Sequence, residues 1–324
     1  MGISRGGDAE YESFEPTLEE KKVQLEAAIQ KELDKDPSSL SLTGKYYADD
    51  SAEIIAGLEM LQNIKSLNLK DNQISDNGFK ALMESSALKD LQELNLDINY
   101  ISDEGVKRIA ESDAIAIKGL QKLSLSENNL TDIGGRALAM SPNFSKLEIL
   151  DLGWNEIGDG TAAALGETTT MSSLKCLELE RGYIGPEGIK QFLNGKVAEQ
   201  IEELNFTSNQ LEDTAARLLA ESSKLTRLKS LRLSQNMIAD SGLKAIGTST
   251  TLTSLEHLFL GRNQFGKEGA QAVHETKTLV NLKTLFLQEG VEITPGIVNF
   301  SKPELLRPED PELSQEHGGD LRNL

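Results

Sequence analysis

Three histidines, His257, His274 and His317, and one cysteine, Cys176, are the residues of this 324-residue chain best suited to nucleophilic, proton-transfer or metal chemistry near neutral pH. Their placement argues against all three roles. Catalysis and metal binding need side chains that converge, and these four fall in separate stretches without a paired His/Cys spacing, a Ser/His/Asp arrangement or a Gly-rich phosphate loop. The carboxylates Asp97, Asp151, Glu178 and Glu180 could imitate a paired acid/base site. The pattern that positions them spreads them along successive strands instead, as a solvated acidic strip. No catalytic residue, no metal and no cofactor is expected.

What positions these residues is a repeat of the form Leu-x-x-Leu-x-Leu-x-x-Asn-x-Ile, followed six residues after the Asn site by a small residue that opens a helical stretch. The Asn sites run Lys45, Asn72, Asn99, Asn128, Asn155, Gly182, Asn209, Asn236, Asn263 and Gly290, with a period of 27 residues and one step of 29 before Asn128. The central Leu-x-Leu predicts a short strand, its leucines inward and the intervening residues on the opposite face. The second half, as in Gly78-Phe79-Lys80-Ala81-Leu82 or Gly242-Leu243-Lys244-Ala245-Ile246, predicts an amphipathic helix packed on the sheet. Helices are wider than the strand spacing, so the stack should curve, with strands lining the concave side. The fold class is thus an α/β solenoid, a horseshoe with a concave parallel sheet and convex helices. Asn72, Asn99, Asn128, Asn155, Asn209, Asn236 and Asn263 are expected to form a structural ladder that satisfies backbone groups where each strand turns away.

A repeat array grows along one axis, so length does not translate into separate domains. Residues 1–15 are Gly-rich and acidic and read as a flexible terminus. Residues 16–61 read as a cap: Thr17-Leu18-Glu19-Glu20 opens a helix with Leu18, Leu25, Ile29 and Leu33 at helical spacing, and a degenerate first repeat follows. Residues 62–300 carry the repeats, and 301–324 read as a loosely docked tail. The two extra residues before Leu120 fall in the return path Glu111 to Gly119 and are expected to bulge.

Lys plus Arg number 33 against 52 Asp plus Glu, a net charge of −19, so the surface should repel nucleic acid and anionic lipid and favour a protein partner with a basic patch. One cysteine cannot form an internal disulfide, which favours a reducing, cytoplasmic setting, in the chain's own cell or in a host cell after export. No secretory signal or membrane span is expected, and oligomeric state is not legible.

The stretch Leu120-Gln121-Lys122-Leu123-Ser124-Leu125-Ser126-Glu127-Asn128-Asn129-Leu130-Thr131-Asp132-Ile133-Gly134-Gly135-Arg136-Ala137-Leu138-Ala139 resembles the leucine-rich repeats of the ribonuclease-inhibitor-like subtype. The resemblance runs from about residue 38 to about residue 300. It implies a scaffold that binds a protein on its concave face or loop edge, as bacterial effectors and adaptors of this kind do. An alternative implied by the same subtype is a regulator of a small GTPase like the Ran GTPase-activating proteins, which use a loop-edge Asn. Their long acidic tail and early Arg-containing loop have no counterpart here.

Partner-binding residues are sought where the register breaks. The column four residues before the Asn site is polar up to Arg232 and then carries Phe259 and Phe286, and His257 and Arg262 lie beside them. Phe259 and Phe286 should stack as an exposed apolar pair unless Leu305, Leu306 or Leu313 of the tail folds over them. On the loop edge, Trp154 precedes Asn155, while Arg181 and Tyr183 flank Gly182; the three should be neighbours, extended by Tyr100. Arg181 could stack on Trp154 merely to cover the rung that Gly182 weakens. Cys176 should point into the concavity as an unreactive residue.

Overall fold

The computed structural model describes residues 17–287. The terminus 1–15, Gly290, the tail 301–324 and His317 lie outside them. Ten strands form one parallel sheet in chain order: β1 (Ser39–Ser41), β2 (Ser66–Asn68), β3 (Glu93–Asn95), β4 (Lys122–Ser124), β5 (Ile149–Asp151), β6 (Cys176–Glu178), β7 (Glu203–Asn205), β8 (Ser230–Arg232), β9 (His257–Phe259) and β10 (Thr284–Phe286). The middle leucines lie side by side, Leu40 beside Leu67 and so on to Leu258 beside Leu285. All ten are buried. Helices between the strands cover the same face. Asp76–Met83 buries Phe79, Leu82 and Met83, and Asp240–Gly247 buries Leu243 and Ile246. The outcome is an α/β horseshoe whose core lies between sheet and helices.

At the first strand, Leu18–Leu33 packs Leu25 and Ile29 into the core, and its start is closed by Thr17 and Glu20, each accepting from the other's backbone amide. Leu18 differs from the spacing-based expectation: it stays 64 % exposed in the first turn. The 29-residue step leaves the sheet undisturbed, since Leu94 still pairs with Leu123. Its extra length is taken up on the return path, where Ala116 N–H donates to Met83 O at 3.0 Å and Ile115 and Ile117 are buried.

Two sets of side chains tie each repeat to the next. Asn99 Oδ1 accepts from the amides of Asn72 and Ile74, while its Nδ2 donates to Leu69 O and Leu96 O. Asn155 and Asn263 hold the amides of their preceding repeats in the same way. A second ladder runs through aspartates four residues after the Asn site. Asp76 accepts from the backbone amide and hydroxyl of Ser102, both at 2.7 Å, and Asp103 does likewise from Thr131. Asp49, Asp132, Asp159, Asp213 and Asp240 occupy equivalent places. Burial works against the charge of Asp132, yet donors from Gly158, Thr161 and Gly160 together hold its carboxyl below the usual range.

Candidate interaction surface

The strand residues flanking each buried leucine face the concavity, because side chains alternate across a strand. Along the middle of the sheet they place Glu93, Asp97, Asp151, Glu178, Glu180 and Glu203 on one surface. The expectation of a uniformly solvated acidic strip needs correcting at Asp97 and Asp151. Asp97 is only 8 % exposed, and Ser124 Oγ bridges the two carboxylates, donating to Asp97 Oδ1 and lying 3.3 Å from Asp151 Oδ2. Asn95 Nδ2 and the Ser126 amide also donate to Asp97, at 3.0 Å each. Burial, reinforced by the negative charges of Asp97 and Glu178, pushes the Asp151 carboxyl up to about 6. The closeness comes from stacking: Ser124 lies beside Asp151 in the next strand and beside Asn95, two residues before Asp97, in the one before.

None of these six concave carboxylates enters an ion pair among the described residues. The ion-paired acids lie elsewhere. At the strand entrances Glu148, Glu202 and Glu256 pair with Lys175, Lys229 and Lys283 across neighbouring repeats. Cys176 Sγ sits 3.7 Å from Glu178 Oε1 and 3.9 Å from Glu203 Oε2. Burial first, then those two carboxylates, pushes its thiol well above the usual range, so it stays protonated.

Toward the last strands the surface changes character. The Arg232 guanidinium lies 5.0 Å from the centre of the Phe259 ring, and Phe259 and Phe286 are 6.5 Å apart, tilted by 38°. Phe259 is nonetheless 5 % exposed, so the pair is not the open apolar patch that its column suggests. Gly261 leaves room for the second ring, since a Cβ there would lie 2.5 Å from Phe286 Cε1. His257 Nδ1 is 3.1 Å from Thr284 Oγ1, and Arg262 is exposed one residue before Asn263. Leu305, Leu306 and Leu313 lie outside the described residues.

The loop edge has a feature that the residue types do not announce. The residue before each Asn site has left-handed backbone, from Gly44 through Asp71, Ile98, Glu127, Trp154, Arg181, Ser208 and Gln235 to Arg262. Except for Gly44 none of these is a glycine, the usual residue for that conformation. Trp154 and Arg181 therefore occupy one column, and the guanidinium lies 4.0 Å from the indole centre. Tyr183 stands apart from that stack: its backbone bridges to Gly158, and its side chain is 61 % exposed. Tyr46 and Tyr100 hold the same position in their repeats and are exposed as well.

Between Trp154 and Tyr183 the ladders fail in a single repeat. Gly182 supplies no side-chain acceptor, and the amides of Asn155 and Ile157, whose counterparts Asn128 and Leu130 donate to Asn155, have no such partner among the described residues. The chain closes the gap by approach. A Cβ on Gly182 would lie 2.5 Å from Ile157 O, and Tyr183 N–H donates to that oxygen at 2.7 Å. Four residues on, Pro186 stands where seven other repeats carry Asp and the repeat of Asn263 carries Lys267.

A leucine-rich repeat family matches residues 61–83, 87–110, 120–139, 145–166, 224–247 and 251–273. Gly182 and Pro186 lie between two of these segments. Over 81 residues the chain is 36 % identical to Tonsoku-like protein of Bos taurus, covering 24 % of this chain and 6 % of that protein. It thus spans a small fraction of the length of that relative. Among solved structures, internalin C2 of Listeria monocytogenes str. 4b F2365 is similar at 22 % identity and TM-score 0.43, covering 74 % of this chain and 82 % of that one. A second internalin of that strain, inlF, is similar at 22 % identity and TM-score 0.35, covering 85 % and 95 %.

Proposed function

As the chain is a leucine-rich repeat protein, we propose that it is a scaffold without chemistry of its own, binding the basic patch of a protein partner on its concave face and its asparagine-side edge. The observation that carries this reading is the set of six concave carboxylates outside any ion pair among the described residues, beside acids elsewhere on the molecule that have one. Unpaired like charges gathered on one surface raise encounter rates with an oppositely charged partner and reject like-charged ones. Trp154, Arg181 and Tyr183 at the edge, with Arg232, His257, Arg262 and Phe286 toward the last strands, would fix orientation and slow dissociation. Phe259 serves this surface from beneath, by supporting Arg232 and Phe286.

The 27-residue repeat with a helix in most units supports the ribonuclease-inhibitor-like subtype within the family. An exported effector and a resident adaptor would use this surface alike, and one half-buried, protonated cysteine suits a reducing cytoplasm in either case. No helix among the described residues is long and apolar enough to cross a membrane. The GTPase-regulator alternative gains no support from the edge, because the ladder asparagines there direct their amides at backbone groups. The test is capture of partners by the wild-type chain and by a Glu178→Lys/Glu203→Lys variant, read by mass spectrometry. A partner held by the first and lost by the second is expected; equal retention overturns the concave site. Accelerated single-turnover GTP hydrolysis by any of a panel of small GTPases would overturn the scaffold reading itself.

A further inference from the structure

On the edge opposite the asparagine ladder, each helix hands the chain back to the next strand. There, three successive return segments, near Thr168, Val197 and Ser223, border an open cavity of about 770 Å³. That volume lies within the range of small-molecule sites. Its middle wall is drawn in tightly: a Cβ on Gly195 would lie 1.9 Å from Gly166 O. The short helix Val197–Gln200 follows, and Gln200 Nε2 donates to Met171 O at 2.7 Å, tying the middle segment to the first.

The charge here is opposite to that of the chain. Lys196, Lys224 and Arg227 line the cavity against one acid, Glu199, which is paired with Lys224. The Lys224 bond, aided by the charges of Lys224 and Lys196, holds the Glu199 carboxyl below its usual range, so that pair is neutral overall. Lys196 and Arg227 enter no ion pair among the described residues, leaving two positive charges. The hydroxyls of Thr169, Ser172, Ser223 and Thr226 border the same space, and none donates to a protein acceptor among the described residues. Met171 and Val197 lie buried beneath the cavity floor.

We propose that this cavity binds a phosphate group, free or as a monoester, between Lys196, Arg227 and the hydroxyls. Two cations outside any ion pair, together with neutral donors, match a dianion better than a single carboxylate, and a guanidinium suits the paired oxygens of phosphate. The site lies on the edge away from the proposed partner surface and does not rest on it.

The test is a titration of the isotope-labelled full chain at constant ionic strength with phenyl phosphate, inorganic phosphate and benzoate, followed by amide chemical shifts. Phenyl phosphate and inorganic phosphate are both expected to move amides of residues 168–172, 196–200 and 223–227, and to bind several-fold tighter than benzoate. Lys196→Ala/Arg227→Ala should weaken both about tenfold or more, as loss of charge-assisted contacts predicts. Both residues are exposed, so an unchanged thermal unfolding curve is expected to certify the variant's fold. Shifts scattered over the surface lysines, or equal affinity in the double variant, would overturn the site. Benzoate binding as tightly as either phosphate would overturn the phosphate assignment.

Discussion

Gly105, near the start of one helix, is matched to Asp76, at the start of the helix before it: a Cβ on Gly105 would lie 2.2 Å from Asp76 Oδ1. The carboxylate occupies the space that a side chain would take, and from there it reaches Ser102. The same relationship joins Gly78 to Asp49, Gly188 to Asp159, Gly242 to Asp213 and Gly269 to Asp240. The small residue that opens each helix is thus a docking space for the aspartate of the preceding repeat. Where Pro186 replaces that aspartate, the next repeat carries Ala215 in place of Gly.

Asp76→Ala should destabilise the chain by about 1–3 kcal/mol, by leaving the Ser102 donors without their acceptor. Gly105→Ala should cost a similar amount, and less in the Asp76→Ala background, because part of the clash is removed. A double-mutant cycle by urea unfolding measures this coupling. Additive costs would show that the two residues are independent.

Restoring the repeat's own consensus at Gly182 should harm it. Gly182→Asn is expected to lower stability by about 1–3 kcal/mol in denaturant unfolding, since its Cβ meets a backbone carbonyl that cannot swing aside. A stabilised variant would mean that the chain can back away and rebuild the rung.

Asp151 makes a pH prediction with a definite sign. Its carboxyl is raised from 3.8 to about 6 on folding, so the folded chain holds a proton that the unfolded chain releases. Stability from this group is therefore greatest below about pH 4 and is lost as pH rises through about 6. Asp151→Asn should gain on the wild type by about 2–3 kcal/mol between pH 4 and pH 7, read as the difference between their urea midpoints at each pH. A gap that does not change with pH would place the titration elsewhere. A basic partner should also bind the wild type more tightly as pH climbs from 5 to 7, and the variant should lack that slope.

Phe259 and Tyr183 should separate stability from binding. Phe259→Ser removes a buried ring and should cost about 3 kcal/mol or more of folding stability. Tyr183→Ser should change stability by less than about 0.5 kcal/mol and still weaken the captured partner several-fold, measured by titration calorimetry. Unchanged affinity for Tyr183→Ser would remove that edge from the binding surface.

The strand, its buried leucines and the helix that follows were legible because burial repeats with a period, and period survives without knowledge of contacts. The aspartates at Asp76, Asp103 and Asp132 repeat just as regularly, yet each reads as an N-terminal charge for its own helix. Their partners lie in the next repeat, 26–31 residues on. The left-handed column was hidden for a different reason: Ile98 and Trp154 carry none of the preference for that backbone, which the ladder bonds of their amides impose. At Phe259 the column identified an aromatic among polar residues, and its burial is set by packing across strands, which a column of residue types does not contain. The bridge from Asp97 through Ser124 to Asp151 spans three repeats, so no local pattern contains it.

The repeat of Gly182 and Pro186 lacks its own rung in both ladders. Asp159 still grips it from one side and Asn209 from the other, so each of its two seams keeps one side-chain clamp where an ordinary seam has two. In a stack stabilised only by nearest neighbours, such a unit is the compliant joint of an otherwise stiff spring. Bending strain should concentrate there, and the amides of residues 155–186 should exchange with solvent ahead of those in flanking repeats. Trp154, Arg181 and Tyr183 straddle that joint. A partner lying across them would act as a splint, so part of its binding energy should reappear as rigidity, making the bound horseshoe stiffer than the free one.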